Sequence, residues 1–231
     1  FLPWPPPYAV RNELFSHLVA GTRVYFIRNR REISRWARVI EIADRIRFSH
    51  PVIHQELFSK ILFTEEMAQR MRMGLEIERL GMGPMARPFL QFLQPWERVS
   101  KLSRWGLIRL LAGQSRMLAR MTGALVVVSI PQGTIENWMR AGEQVQRLWI
   151  RAHERGMAVH PMTVAFYLDL RYQEEGMQAF LPSHGKLLQE LRGRLKELLP
   201  EGIGTMLFRL GKSRRLPRPA IRLAIDQFLM S

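Results

Sequence analysis

The sequence predicts a fold that mixes helices with a small sheet, and three observations carry that expectation. Gly123 to Ile130 holds the run Ala-Leu-Val-Val-Val between turn residues, the pattern of a central strand buried on both faces. Thr22–Ile27 alternates Val24 and Phe26 with Arg23 and Tyr25, and Thr205–Leu210 alternates Met206, Phe208 and Leu210 with Thr205, Leu207 and Arg209, so two further strands are expected. From Thr134 onward, Ile135, Trp138, Gly142, Val145, Trp149 and Ala152 recur every three or four residues and draw one apolar stripe on a helix. Glu143, Arg147, Arg151 and Arg155 fall on its other side, Thr134 serves as N-cap after the Pro131-Gln132-Gly133 turn, and Gly156 is the C′ residue. Ala141 and Gly142 predict a close approach to another backbone at mid-helix.

Taken in order, Phe1 to Pro7 is a Pro-rich extended arm with Trp4, and Asn12 to Val19 forms a short helix, so residues 1–21 precede the first strand as an arm and a helix. Ile33, Trp36, Ile40 and Ala43 set the stripe of a longer helix that His50-Pro51 interrupts, and a second helix follows through Ile53, Leu57 and Ile61. Thr64-Glu65-Glu66 starts another. In the stretch 79–120 the only acid is Glu97 against eight basic residues from Arg79 to Arg120, interleaved with Phe89, Phe92, Trp96, Trp105 and Leu111. This basic helical insertion, broken near Gly83-Pro84 and Gly113, reads three ways: a packed helical pair with a solvated face, a membrane-surface or partner-docking segment, or a lid over a ligand. Met157 to Thr163 is short, apolar and interrupted by Pro161, a strand-like segment whose backbone groups are not all used in a ladder. A segment without an assigned element runs through Tyr172. A helix from Ser183 through Leu187, Leu191, Leu195 and Leu198 leads to the last strand, and a basic irregular tail begins at Lys212.

A chain of 231 residues, 47% apolar, supports one large core, so a single domain over 1–231 is expected. The net charge of +15 attracts anions: nucleic acid, anionic lipid, phosphorylated cofactors or an acidic protein. Nucleic acid is the weaker option, because the aromatics sit at core-like helical spacing rather than on a stacking strand. The chain has no cysteine, which excludes disulfides, thiolate metal sites and cysteine nucleophiles. Its longest uncharged apolar run, Ala124–Ile130, is too short to span a bilayer. A cytoplasmic or peripheral protein is the expectation, and the opening Phe1 suggests a sequence that begins inside a longer chain.

Among His17, His50, His54, His153, His160 and His184, only His50 and His54 share metal-pair spacing, and no third ligand accompanies them. No Walker or dinucleotide loop and no Gly-x-Ser-x-Gly elbow occurs, while Glu65-Glu66 and Glu174-Glu175 read as solvated acids. The tail is more informative: Lys212, Arg214, Arg215 and Arg218 directly follow a core strand, which either aims them at a phosphate or leaves them as a solvated basic tail.

The order of buried strand, an Ala-Gly-Glu-x-Val-Gln-Arg-Leu-Trp-Ile-x-Ala helix ending at Gly156, the loop His160-Pro161-Met162-Thr163 and the closing strand Met206–Gly211 with its Arg/Pro tail resembles the C-terminal half of the nitroreductase family. The segment Ala43–Leu57 and the basic insertion are similar to a divergent bacterial branch of it. The resemblance implies an α+β fold with a central mixed or antiparallel sheet flanked by helices, in a homodimer or a pseudo-dimer with a related domain. It also implies FMN at the interface and NAD(P)H-driven two-electron reduction of an acceptor. His160, Pro161, Met162 and Thr163 would lie beside the flavin ring, Lys212, Arg214, Arg215 and Arg218 would hold its phosphate, and Arg87–Gly113 would act as lid or dimer contact. The family's opening Arg-x-Ser-x-Arg and Ser-x-x-Asn elements have no counterpart here, which keeps a second reading open: a flavin-free relative that binds a membrane surface, a protein or nucleic acid through its basic surface.

Overall fold

The computed structural model describes residues 8–77 and 85–212, without the side chains of 8–10 and 86. The arm Phe1–Pro7, the Gly83-Pro84 break and the tail residues Arg214, Arg215 and Arg218 lie outside the described residues. In chain order the elements are α1 (Tyr8–Leu14), β1 (Arg23–Ile27), α2 (Arg30–Ser49), α3 (Pro51–Ser59), β2 (Ile61–Leu62), α4 (Glu65–Met71), β3 (Leu75–Glu76) and α5 (Ala86–Leu93). They continue with α6 (Trp96–Ser103), α7 (Leu107–Arg120), β4 (Ala124–Ile130), α8 (Ile135–Glu154), β5 (Ala158–Pro161), α9 (Val164–Glu175), α10 (Gly185–Leu198) and β6 (Ile203–Gly211). The fold is α+β, as expected. Two compact units form, one from the residues up to Arg47 with those from Ile108 onward, the other from Phe48–Leu107.

The first unit holds a four-stranded sheet in the order β1-β4-β6-β5, with every neighbouring pair antiparallel. β4 lies inside it and all seven of its residues are buried, which is why its sequence shows no polar alternation. Side chains alternate between faces. On one face Val126, Val128, Phe208 and Leu210 pack with Leu14 of α1 and with Ala141, Leu148 and Ala152 of α8. On the other, Phe166 of α9 lies so close to Gly204 that a Cβ there would stand 2.3 Å from its ring, and Trp36 of α2 meets Phe166 edge-to-face at 6.0 Å. Burying an aromatic of this size contributes about 1.5–3 kcal/mol.

Helix α8 has the predicted ends. Thr134 accepts a hydrogen bond from the Asn137 N–H. At the other end Gly156 takes φ 64°, its N–H donates to His153, and the Met157 N–H donates to Ala152, a Schellman closure that only a residue tolerant of positive φ makes cheaply. Its fully buried line is Ala141, Gln144, Leu148 and Ala152, which shares Ala152 with the expected stripe, while Trp138 and Val145 of that stripe pack against the core partly buried. Ile135 is 81% exposed and Gly142 meets no neighbour, so Ala141 alone makes the close approach. The first helix also starts earlier than expected. The segment after it is held as a loop because the Val19 N–H donates to Gln144 Oε1 at 2.7 Å. Gly113 lies inside α7 instead of breaking it, and the break falls at Gly106, with φ 92°. The segment through Tyr172 is the helix α9.

The second unit contains α3 to α6 and a short parallel pair, β2 with β3. His50 caps α3 through its ring nitrogen and Pro51 opens it, which is why α2 and α3 separate there. His54 Nε2 lies 3.0 Å from the Gln94 carbonyl and its ring stacks near Phe58 and Trp96.

Candidate functional site

β5 is the edge strand of the sheet, and its contacts with β6 decide what the His160–Thr163 segment can offer. The pairs are Ala158↔Gly211, Val159↔Leu210, His160↔Arg209 and Pro161↔Phe208, and the Met162 N–H donates to the Leu207 carbonyl at 2.8 Å. Antiparallel ladders alternate, so that bond makes His160 and Arg209 a hydrogen-bonded pair and turns the backbone groups of Val159 and Pro161 toward the outer edge. Pro161 therefore lacks an N–H where the ladder needs none. The Thr163 hydroxyl is taken by the Met206 sulfur and the Leu207 carbonyl. What the ladder leaves directed away from β6 is the Val159 backbone and the Pro161 carbonyl.

Directly opposed residues on antiparallel strands place their side chains on one face, so His160 and Arg209 stand side by side. Arg209 is 4% exposed, and loss of hydration lowers its pKa to about 10, which leaves it charged at neutral pH. Helix α2 adds Arg47 and Asp44. The Arg47 guanidinium lies 2.9 Å from the Asp44 carboxylate, which is itself 4% exposed. Burial raises the Asp44 pKa, while Arg47 and a hydrogen bond with Ser115 of α7 oppose the rise. Desolvation, with the Arg209 and Arg47 charges, lowers the His160 pKa to about 4. His160 keeps an exposed face, and its imidazole is neutral at pH 7. The cluster thus holds two guanidiniums, a neutral imidazole and one carboxylate, a donor-rich set suited to an anion.

Of the residues expected from sequence, His160 to Thr163 gather at one end of the β5–β6 pair, and exposed Lys212 follows Gly211 at the other end. Arg47, Asp44 and Arg209 were not expected. A charged residue inside an apolar strand was the signal for Arg209, and an acid beside the buried stripe of α2 was the signal for Asp44. His50 and His54 are committed to capping and to Gln94, and no group of three or more metal-ligating side chains occurs among the described residues. Glu65 and Glu66 sit in the first turn of α4, where the helix dipole favours acids, and Glu175 pairs with Arg171. No helix among the described residues is long and apolar enough to cross a membrane.

No family model matches the chain. The chain is similar to an uncharacterized protein of Mycobacterium tuberculosis (strain CDC 1551 / Oshkosh), 28% identical over 203 residues that cover 86% of this chain and 28% of that protein. It therefore spans little more than a quarter of the length of that relative. Among solved structures it is similar to oxidized iodotyrosine deiodinase bound to FMN and 3-iodo-L-tyrosine, at 11% identity and a TM-score of 0.43, over 97% of this chain and 91% of that one. A likeness that distant carries no argument for a ligand.

Proposed function

We propose that the chain is a nitroreductase-like flavoprotein domain that holds FMN along the β5–β6 edge and takes part in NAD(P)H-dependent two-electron reduction of an acceptor. The observation that carries the reading is the His160–Arg209 pair on one face of the sheet, with Arg47 beside it. The donor set fits the cofactor's anionic and carbonyl groups. His160, Arg209 and Arg47 would be the donors that hold its ring. Lys212, three residues or about 10 Å beyond Arg209 along β6, begins the basic run with Arg214, Arg215 and Arg218 that would take the phosphate. Bound FMN supplies the redox chemistry, accepting a hydride and passing on two electrons. The chain's own residues orient it: Met162 and Thr163 fasten the loop to β6, and buried Arg209 keeps a fixed positive charge where reduced flavin gathers negative charge.

Purified protein is expected to be yellow or to take up added FMN, and NADH or NADPH is expected to bleach it under anaerobic conditions. Arg209→Met should weaken FMN binding at least tenfold in a fluorescence-quenching titration. Protein that stays colourless with excess FMN rejects the reading. A second copy is part of the proposal, and exposed Ile135 and Met139 on α8, with Leu110, Met117 and Leu118 on α7, are its surface in this chain. Light scattering that gives a monomer at all concentrations removes that part.

One observation favours the second reading, a flavin-free binding module. In the second unit Trp105 is 88% exposed and follows Arg104, while Arg98 stacks over half-exposed Phe92 at 5.3 Å, the mix of aromatic and basic groups that suits an anionic membrane surface. Co-sedimentation with phosphatidylglycerol vesicles, lost in Trp105→Ala, supports it. Equal sedimentation of wild type and variant rejects it.

A further inference from the structure

A second cationic cluster lies in the first unit, on residues other than those assigned to the flavin. Arg31, Arg35 and Arg38 recur at i, i+4 and i+7, so α2 presents them along one face. Together with Ser34, and with Arg116 from α7 and Arg194 from α10, they line an open groove. Glu41 accepts from Arg38 Nη1 and Arg116 Nη1, both at 3.1 Å. Glu190 accepts from Arg38 Nη2 at 3.1 Å and from Arg194 Nε at 3.0 Å. Arg38 is saturated by this network and acts as the strut that holds its neighbours in place.

Those neighbours keep donors to spare. Arg35 makes only a 3.4 Å contact with Glu197, the Nε of Arg116 is buried with no hydrogen-bond partner, and Arg31 has no ion-pair partner among the described residues. Five guanidiniums face three carboxylates, an excess of two positive charges. One carboxylate ligand would satisfy too few of these forks. A phosphoryl group brings three acceptor oxygens and close to two negative charges.

We propose that this groove binds a phosphoryl group, with Arg31, Arg35, Arg116 and Arg194 as donors, Ser34 as a hydroxyl partner and Arg38 with Glu41 and Glu190 as their scaffold. The site is independent of the flavin reading. The test is calorimetric titration of the protein, without added FMN, with inorganic pyrophosphate, the paired variants telling this groove from any flavin-phosphate site. Arg31→Ala with Arg35→Ala removes two exposed side chains and should weaken binding at least tenfold. Arg147→Ala with Arg155→Ala, on α8, removes the same charge elsewhere and should change it less than twofold. Equal weakening by both pairs overturns the site in favour of general charge attraction. A second arm separates sources: if pyrophosphate does not bind but phosphatidate vesicles do, and the Arg31/Arg35 variant alone loses them, the phosphoryl group belongs to a lipid headgroup. Failure of both probes with wild type overturns the proposal.

Discussion

The two faces of the central sheet do different work. Toward α8, Val126, Val128, Phe208 and Leu210 meet only apolar side chains apart from buried Gln144, whose Oε1 takes the Val19 N–H and the Thr22 hydroxyl. Toward α2 and α9, the same strands carry Arg209, with His160 beside it and Asp44 and Arg47 nearby. The first face holds the unit together by burial, since every contact there removes apolar surface from water. The second places charge in low-dielectric surroundings, an arrangement that costs stability and is retained where a polar partner or ligand uses it.

The largest test of this contrast is Phe208→Ala, which empties the α8 face. It should cost about 3–5 kcal/mol in urea unfolding. A loss below about 1 kcal/mol would mean that this face is not the adhesive one. Gly204→Ala intrudes on the opposite face, where the Phe166 ring must move out of the way, and about 1–3 kcal/mol is expected. Thr134→Ala removes the side-chain acceptor that starts α8 without touching either face of the sheet, for about 1 kcal/mol.

Two smaller effects sharpen the polar face. With Arg209→Met, the His160 pKa should rise toward its ordinary 6.5 in an NMR titration, because one of the two cations that disfavour its protonation is gone. No movement would detach His160 from Arg209. The sign for stability follows from the lowered pKa: below about pH 6.5 the unfolded chain binds a proton at this histidine before the folded chain does, so its contribution is lost as pH falls. Asp44, with its raised pKa, has the opposite sign, favouring the fold more at low pH than at high. Wild type should therefore lose stability relative to His160→Gln between pH 7.5 and 5, by an amount that the exposure of the ring keeps small.

Where local chemistry decides the structure, the sequence was readable. The apolar run of β4, the Thr134 and Gly156 ends of α8 and the Pro51 entry into α3 all depend on neighbours within a few residues. The buried line of α8 was harder, because large residues on adjoining stripes compete and only the sheet beneath decides between Gly142 and Ala141. Gln144 has no local signal at all, since the loop that it anchors lies more than a hundred residues earlier in the chain.

Strands β2 and β3, with Ile61 expected in a helix, were not legible, but the sequence by itself determined the strands of the four-stranded sheet, most of the helices and the caps of α8. These follow from periodicity, turn chemistry and capping, which act over one or two turns of chain. Only the tertiary structure decided that His160 stands against Arg209, that Arg47 and Asp44 join them, and that arginines from α2, α7 and α10 share one groove. Those juxtapositions depend on strand register and helix packing between segments far apart in the chain, and a one-residue slip in β5 would turn His160 to the opposite face.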